Sequence, residues 1–399
     1  MRRVLNCGWK QLEFEVADNK LISHPQTPNP LADPSAAVRA ALEQPYEYPA
    51  LRLALTPDDC IAVVLDEQLP RLVELLVPVL EHLREAGVAP EATTLLCTPS
   101  SSPQSWIDEL PDDFQDVRVE ITDPDDRKRL AYLATTNRGD RLYLNRTLVE
   151  ADQIVALSGL RYDPLLGYSG AEGALFPAFA DRETLERLSL DLHLEPPGDE
   201  AWPTRRAAVE TAWLLGAPFY IQAIESQGDG IAQVIAGSVQ ASREGRRQLD
   251  ACWRHAMAHP ADLVVAGMSG DPTRHTLAAM AAALACAARV VRTGGRIVLL
   301  TEAEPKLGNE MELIRSFDDP QQLYQRLRGD IRPDTLFALQ WSSAASQANI
   351  NLMSGLPDDT VEELFATPLR EPREVQRLLD CGDSCIFLPD AHKMLAVLE

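Results

Sequence analysis

The 399-residue sequence has no apolar run near the roughly 20 residues that a membrane span requires. Its opening, Met1-Arg2-Arg3-Val4-Leu5-Asn6-Cys7, lacks the apolar core of a secretory signal. Positive charge is scarce: 37 Lys and Arg stand against 60 Asp and Glu, a net charge of -23. Phosphate-backbone binding needs clustered cations, so nucleic acid is excluded as a partner class, and so is a membrane-spanning role. The seven cysteines are odd in number and widely spread, which excludes a secreted disulfide framework. Internal repeats and low-complexity tracts are also missing. A cytoplasmic protein is the expectation.

What is present is ordinary globular material, 45% hydrophobic and 24% charged. The chain is too long for one core, so two domains are expected. The first 60 residues are rich in Pro and Asn, with one alternating stretch at 12–16 that reads as a short strand before extended, surface-wrapping chain. Ile61–Leu65 is a continuous apolar run suited to a buried strand. Pro70 opens an amphipathic helix over 70–87, with Leu72, Leu75, Leu76, Val79 and Leu80 on one face. Strands follow at 93–98 and 153–158, and a hairpin is expected where 219–225 and 231–236 flank Gln227-Gly228-Asp229-Gly230. The second half repeats the alternation, with strands at 262–267, 296–301, 350–353 and 385–388 and helices at 276–292, 320–327 and 335–345.

Alternating strands and helices predict an α/β fold of two domains, each a mainly parallel sheet flanked by helices, with a ligand cleft between them. The domains are expected at 1–257 and 258–385, divided near His259-Pro260, with 386–399 a C-terminal segment returning to the first domain. Ligands in such sheets bind at the carboxyl ends of strands, which draws attention to the loops after Thr98, Ser158, Gly267 and Thr301.

One of those loops carries a specific signal. The stretch SGLRYDPLLGYSGAEGALFP at 158–177 resembles the central motif of the nickel-dependent lactate racemase family, a histidine followed by Gly-Phe-Ser-Gly-Gly-x-Lys and then Pro-Gly. Its flanks agree. Glu183-Thr184 matches the Glu-Thr after that motif, and 262–272 resembles the family's Asp-x-x-Ile-x-x-x-Gly-Gly-x-Pro strand and turn. Residues 293–299 resemble its Gly-Gly-x-Ile strand, and 39–45 its x-Ala-Leu-x-x-Pro run. The similarity runs in order over most of the chain.

The resemblance implies a cofactor: a nickel-pincer nucleotide attached to a lysine, with nickel held by a histidine. Two further histidines act as acid and base on a 2-hydroxy acid, and an arginine holds the substrate carboxylate. This chain departs at each position. Gly173 stands for the lysine, Asp163 for one catalytic histidine, Ser189 for the nickel ligand, Ser101 for the other catalytic histidine and Leu69 for the arginine. Trp341 aligns with a tryptophan that the family places near substrate. A serine hydroxyl near neutral pH does not replace imidazole as a base. Glycine has no amine, and serine is a poor ligand for a borderline metal.

The residues left in the loop are Arg161, Tyr162, Asp163, Tyr168, Ser169 and Glu172. Asp163 and Tyr162 are the candidate catalytic groups. Asp163 would serve as a base where desolvation raised its pKa, while the plainer reading of Asp163-Pro164 is a residue pair that shapes a turn. Arg161, Tyr168, Ser169, Trp341 and Lys306 are the candidate substrate-binding groups, and no metal ligand is assigned. Gly167 and Gly170 read as turn formers and Asp123, Asp125 and Asp126 as a solvated run. His255 and His259 read as a helix-end pair, and Cys381 and Cys385 as incidental thiols.

The sequence therefore predicts a lactate racemase-like protein that has lost nickel-pincer racemase chemistry while keeping a cleft for a small acid or a regulatory role. An altered racemase, epimerase or other enzyme acting on a 2-hydroxy acid is the alternative. No cofactor is expected on the first reading, and the nickel-pincer nucleotide is expected only if the family chemistry survives. The expected partners are a small hydroxy acid, an active paralogue or a second copy of the chain.

Overall fold

The computed structural model describes residues 1–99, 105–136, 139–198, 201–308, 310–329 and 332–399. The chain divides into two compact units. One comprises 30–225 and 230–250; the other gathers 1–29, 226–229 and 251–399. No helix among the described residues is long and apolar enough to cross a membrane.

The 30–250 unit is built on a six-stranded sheet in the order Ile231–Gly237, Phe219–Glu225, Gln153–Gly159, Ile61–Leu65, Thr93–Cys97, Arg118–Ile121. All neighbours are parallel except the first pair, the antiparallel hairpin foreseen from sequence. The unbroken apolar run at 61–65 follows from burial on both faces. Ile61, Val63 and Leu65 enter one hydrophobic cluster, and Ala62 and Val64 enter the other. The first face is covered by helices Pro34–Glu43 and Leu72–Glu85. The latter begins two residues after Pro70, because Leu69 N–H closes a turn onto the Asp66 carbonyl and Arg71 takes a left-handed conformation.

The second unit holds a fully parallel sheet in the order Ala366–Pro368, Asn349–Met353, Val291–Leu300, Ala261–Gly267, Cys385–Leu388, Leu21–Ser23. Helix Leu277–Ala288 packs on it, opened by Thr276, whose side chain accepts from Ala279 N–H. An antiparallel hairpin, Arg2–Cys7 with Lys10–Glu15, packs Leu5, Cys7 and Phe14 against Leu263, Val265, Val298 and Phe387.

This arrangement corrects the expected domain limits. The first 29 residues do not belong with the 30–250 core, because their apolar side chains are buried on the second sheet. The divide falls at 250/251 rather than 257/258. The segment 386–399 stays in the second unit, where Leu395–Leu398 pairs in parallel with Arg254–Met257. His255 therefore lies on a strand, not a helix, and the four-residue spacing to His259 does not put both rings on one helical face.

Candidate functional site

In the 30–250 sheet the chain runs outward from Ile61–Leu65 through Thr93–Cys97 and Arg118–Ile121, then returns to the opposite side of the first strand as Gln153–Gly159. The two loops that part at this reversal are the place where open α/β sheets bind ligands. Asp66 follows the first strand and Arg161 follows the second. Arg161 Nη1 meets Asp66 Oδ2 at 2.6 Å, and its Nε meets Glu225 Oε1 at 2.7 Å. Asp66 Oδ2 also accepts from Gly159 N–H. Burial works against the guanidinium charge, but the two carboxylates outweigh it and raise its pKa above the ordinary value. Arg161, read from sequence as a candidate substrate-binding group, is thus already held by two carboxylates of its own chain.

Beyond Arg161 the chain forms a small hairpin, Tyr162–Asp163 with Gly167–Tyr168. The hydroxyls of Tyr162 and Tyr168 donate to the two oxygens of Asp250, each at 2.9 Å. Asp163 Oδ1 accepts from the N–H groups of Leu165 and Leu166 at 2.8 and 2.7 Å, so its carboxylate organises the turn. Burial raises its pKa against the pull of those two donors. The Ser169 hydroxyl donates to the Gly159 carbonyl and accepts from Arg161 N–H.

Gly173 lies in the short helix Glu172–Leu175. A Cβ there would come within 2.8 Å of Leu166 Cδ1 and 3.3 Å of Arg205 Nη1. Arg205 projects from helix Pro203–Leu214, and its Nη2 meets Glu172 Oε2 at 2.6 Å with both side chains 2% exposed. The same guanidinium donates to the Tyr168 carbonyl and to Ser242, whose hydroxyl donates to Glu172. A guanidinium paired within the fold therefore stands beside the position where the resemblance calls for a lysine.

The remaining candidates are dispersed. The Ser189 hydroxyl donates to the Glu186 carbonyl at 2.6 Å and closes its own helix, and Leu69 is buried in the apolar core. Trp341 belongs to the second unit, fully buried, with its indole N–H on the Leu364 carbonyl at 2.5 Å. This corrects its expected place among ligand-binding groups, since both its ring and its polar atom are held in the core. Lys306 is exposed in the loop beyond Val291–Leu300. Ser101 lies outside the described residues, as do Ser100 and Ser102.

The second sheet has its own reversal, between Ala261–Gly267 and Cys385–Leu388. There Ser269 donates from its N–H and its hydroxyl to Asp390, both at 2.7 Å to Oδ1, and both residues are buried. His275 Nε2 lies 3.1 Å from the Ser269 carbonyl, and its ring packs edge-on to His392. Lys393 donates to the carbonyls of Ser226 and Gly228. Sequence reasoning read 269–272 as a turn and passed over Asp390. A cavity of about 210 Å³ lies nearer the sheet edge, lined by Leu352, Ser354, Asp358 and Arg370, and its one cation is paired with Asp358.

Among the described residues one group has metal-ligand spacing, Glu43, His82 and Glu85. Arg52 N–H donates to His82 Nε2 at 3.0 Å, so the neutral ring carries its proton on Nδ1, the nitrogen that faces Glu43. Glu43 itself grips the Arg52 guanidinium through both oxygens. The group is organised as a hydrogen-bonded contact, not as metal ligands.

Fold and sites define a two-unit α/β protein whose strand-end loops are closed by its own side chains. Residues 7–190 match the sequence profile of the lactate racemase N-terminal domain. The chain is 20% identical over 382 residues to the lactate racemase of Thermoanaerobacterium thermosaccharolyticum, covering 90% of this chain and 89% of that one. It superposes on the lactate racemase apoprotein of the same organism with a TM-score of 0.81, at 17% identity and over 99% of this chain and all of the other. A structural-genomics protein from Thermotoga maritima matches with a TM-score of 0.65, at 13% identity and over 94% of this chain and all of its own. Residues 7–190 thus resemble the lactate racemase N-terminal domain, and the chain as a whole has the lactate racemase fold.

Proposed function

We propose that this chain is a member of the lactate racemase family that no longer runs nickel-pincer chemistry and acts as a non-catalytic, regulatory relative, by holding a small acid or pairing with an active paralogue. The observation that carries this reading is the surroundings of Gly173. Position 173 offers no amine, and the Arg205 guanidinium stands 3.3 Å from where a side chain would begin, paired with Glu172. The side chains at or near the family positions are otherwise engaged: Ser189, in place of the nickel ligand, closes a helix, Asp163, in place of a catalytic histidine, organises a turn, and Arg161 is held by Asp66 and Glu225. The described residues do not fit the cofactor.

The test is metal analysis, an absorbance spectrum and an intact mass, on full-length protein produced together with the family's cofactor-synthesis enzymes. Nickel-free, colourless protein of unmodified mass is expected. Stoichiometric nickel with a chromophore would overturn the reading.

A second reading, an enzyme acting on a 2-hydroxy acid through altered residues, draws on one observation. Burial raises the pKa of the Asp163 carboxyl, the direction that a general base requires. Turnover of a hydroxy-acid panel that vanishes in Asp163→Asn, while the fold is retained, would establish it.

A further inference from the structure

Near the helix Glu172–Leu175 the 30–250 unit buries a group of polar side chains, Glu172, Arg205, Tyr220, Gln222 and Ser242. Tyr220 and Gln222 stand two apart on strand Phe219–Glu225, so their side chains leave the same face. Gln222 Nε2 donates to the Ala241 carbonyl at 2.8 Å, and Arg205 Nη2 reaches the Ser242 hydroxyl at 3.1 Å, so both side chains arrive at adjacent residues of helix Val239–Trp253. The Tyr220 hydroxyl lies close enough to Glu172 and Arg205 to feel both charges, although burial is the main cause of its raised pKa. Within this group three buried atoms have no hydrogen-bond partner: Arg205 Nε, Tyr220 Oη and Gln222 Oε1. Their residues are 2%, 0% and 0% exposed.

These three atoms have complementary needs. Arg205 Nε–H seeks an acceptor, Gln222 Oε1 seeks a donor, and the Tyr220 hydroxyl serves as either. Leaving such groups unpaired in an interior forfeits the hydrogen bonds they make to water in the unfolded chain. A bare anion would serve Arg205 Nε–H and the Tyr220 hydroxyl but leave Gln222 Oε1 without a donor. A neutral molecule that both donates and accepts is required, and an internal water makes about three such bonds.

We infer that the 30–250 unit contains an internal hydration site in which ordered water links Arg205 Nε, Tyr220 Oη and Gln222 Oε1. The water completes the hydrogen bonding of the guanidinium that stands beside Gly173, which makes it part of what fixes the loop before that helix. Water ¹⁷O relaxation dispersion on the full chain counts long-lived internal waters. A fall in dispersion amplitude is expected in Tyr220→Phe, with a further fall in Tyr220→Phe/Gln222→Leu. Unchanged amplitude in both folded variants would overturn the inference. Should the variants not fold, a high-resolution crystal structure of the unaltered chain decides. Solvent density bonded to these atoms supports the site, and Tyr220 Oη bonded directly to Gln222 Oε1 rules it out.

Discussion

At the reversal of the 30–250 sheet the gap between diverging strands is spanned by charge, with Arg161 held between Asp66 and Glu225. At the reversal of the second sheet it is spanned by the backbone and hydroxyl of Ser269 donating to the buried Asp390 carboxylate. The first closure is partly exposed and would be displaced only by a group that competes for a guanidinium. The second is buried and would be opened only by unpairing a carboxylate. Open α/β sheets commonly present these loops to a ligand, whereas both are engaged internally here. The same principle extends inward on the first sheet, where the Arg205–Glu172 pair sits deeper than Arg161.

That gradient of burial can be broken in order. Arg205→Met is expected to have the largest effect, about 3–5 kcal/mol, because it leaves Glu172 charged and buried. Urea unfolding should also show part of that loss recovered in Arg205→Met/Glu172→Gln, where neither charge is stranded. A cost for Arg205→Met no greater than that of Arg161→Met would refute the claim that depth decides.

Gly173→Lys sharpens the same point. The new side chain meets Leu166 and Arg205 at once and sets a further cation beside the Arg205–Glu172 pair. A loss of about 1–3 kcal/mol from overpacking is expected, with more from the charge. Gly173→Ala should cost less. A lysine tolerated without loss would mean that the position is open after all.

Between the two reversals, Asp390→Ala should cost about 1–3 kcal/mol by leaving the Ser269 N–H and hydroxyl donors unpaired. Asp66→Ala should cost about 1 kcal/mol or less, as partly exposed pairs do. Raising the salt concentration should shrink the Asp66 effect and leave that of Asp390 unchanged, since screening acts on exposed charge. Equal salt dependence would erase the distinction.

How much of this was legible depends on which forces are local. The buried strands at 61–65 and 261–267 announce themselves as apolar runs, and the 219–237 hairpin by its Gly-Asp-Gly turn. The resemblance around 158–177 named Gly173, Asp163 and Ser189 as departures, and the structure gives each hydroxyl or carboxylate a local partner. The attachment of residues 1–29 to the second unit was not legible, because an alternating strand pattern does not say which sheet it will cover. Arg205 gave no signal either. An arginine in a helix normally reads as solvent-facing, and only the fold brings it to Glu172, 33 residues away. Asp66 and Arg161 were within reach of the sequence: each follows a central strand, and the reversal rule pairs those two loops.

The smallest expected effect is a pH dependence that separates the units. Burial lowers the pKa of His82 in the first unit and of His275 in the second below the ordinary 6.5. The unfolded chain then binds more protons than the folded one below about pH 6.5, so the contribution to stability is intact above that value and lost as pH falls toward the folded pKa. The two rings differ in what a second proton meets. On His82 it lands on Nε2, which already accepts from Arg52 N–H, and so confronts a donor. On His275 the carbonyl of Ser269 and the hydroxyl of Thr301 are both able to accept. Glu43 and Glu85 soften the penalty at His82, as Asp390 and Asp229 do at His275, while Arg52 and Lys393 deepen it. Urea midpoints between about pH 5 and 7.5 should therefore flatten more in His82→Gln, which keeps an acceptor for Arg52, than in His275→Gln. An unchanged slope in His82→Gln would show that the Arg52 contact does not resist protonation, and the acid sensitivity would then belong to the second unit.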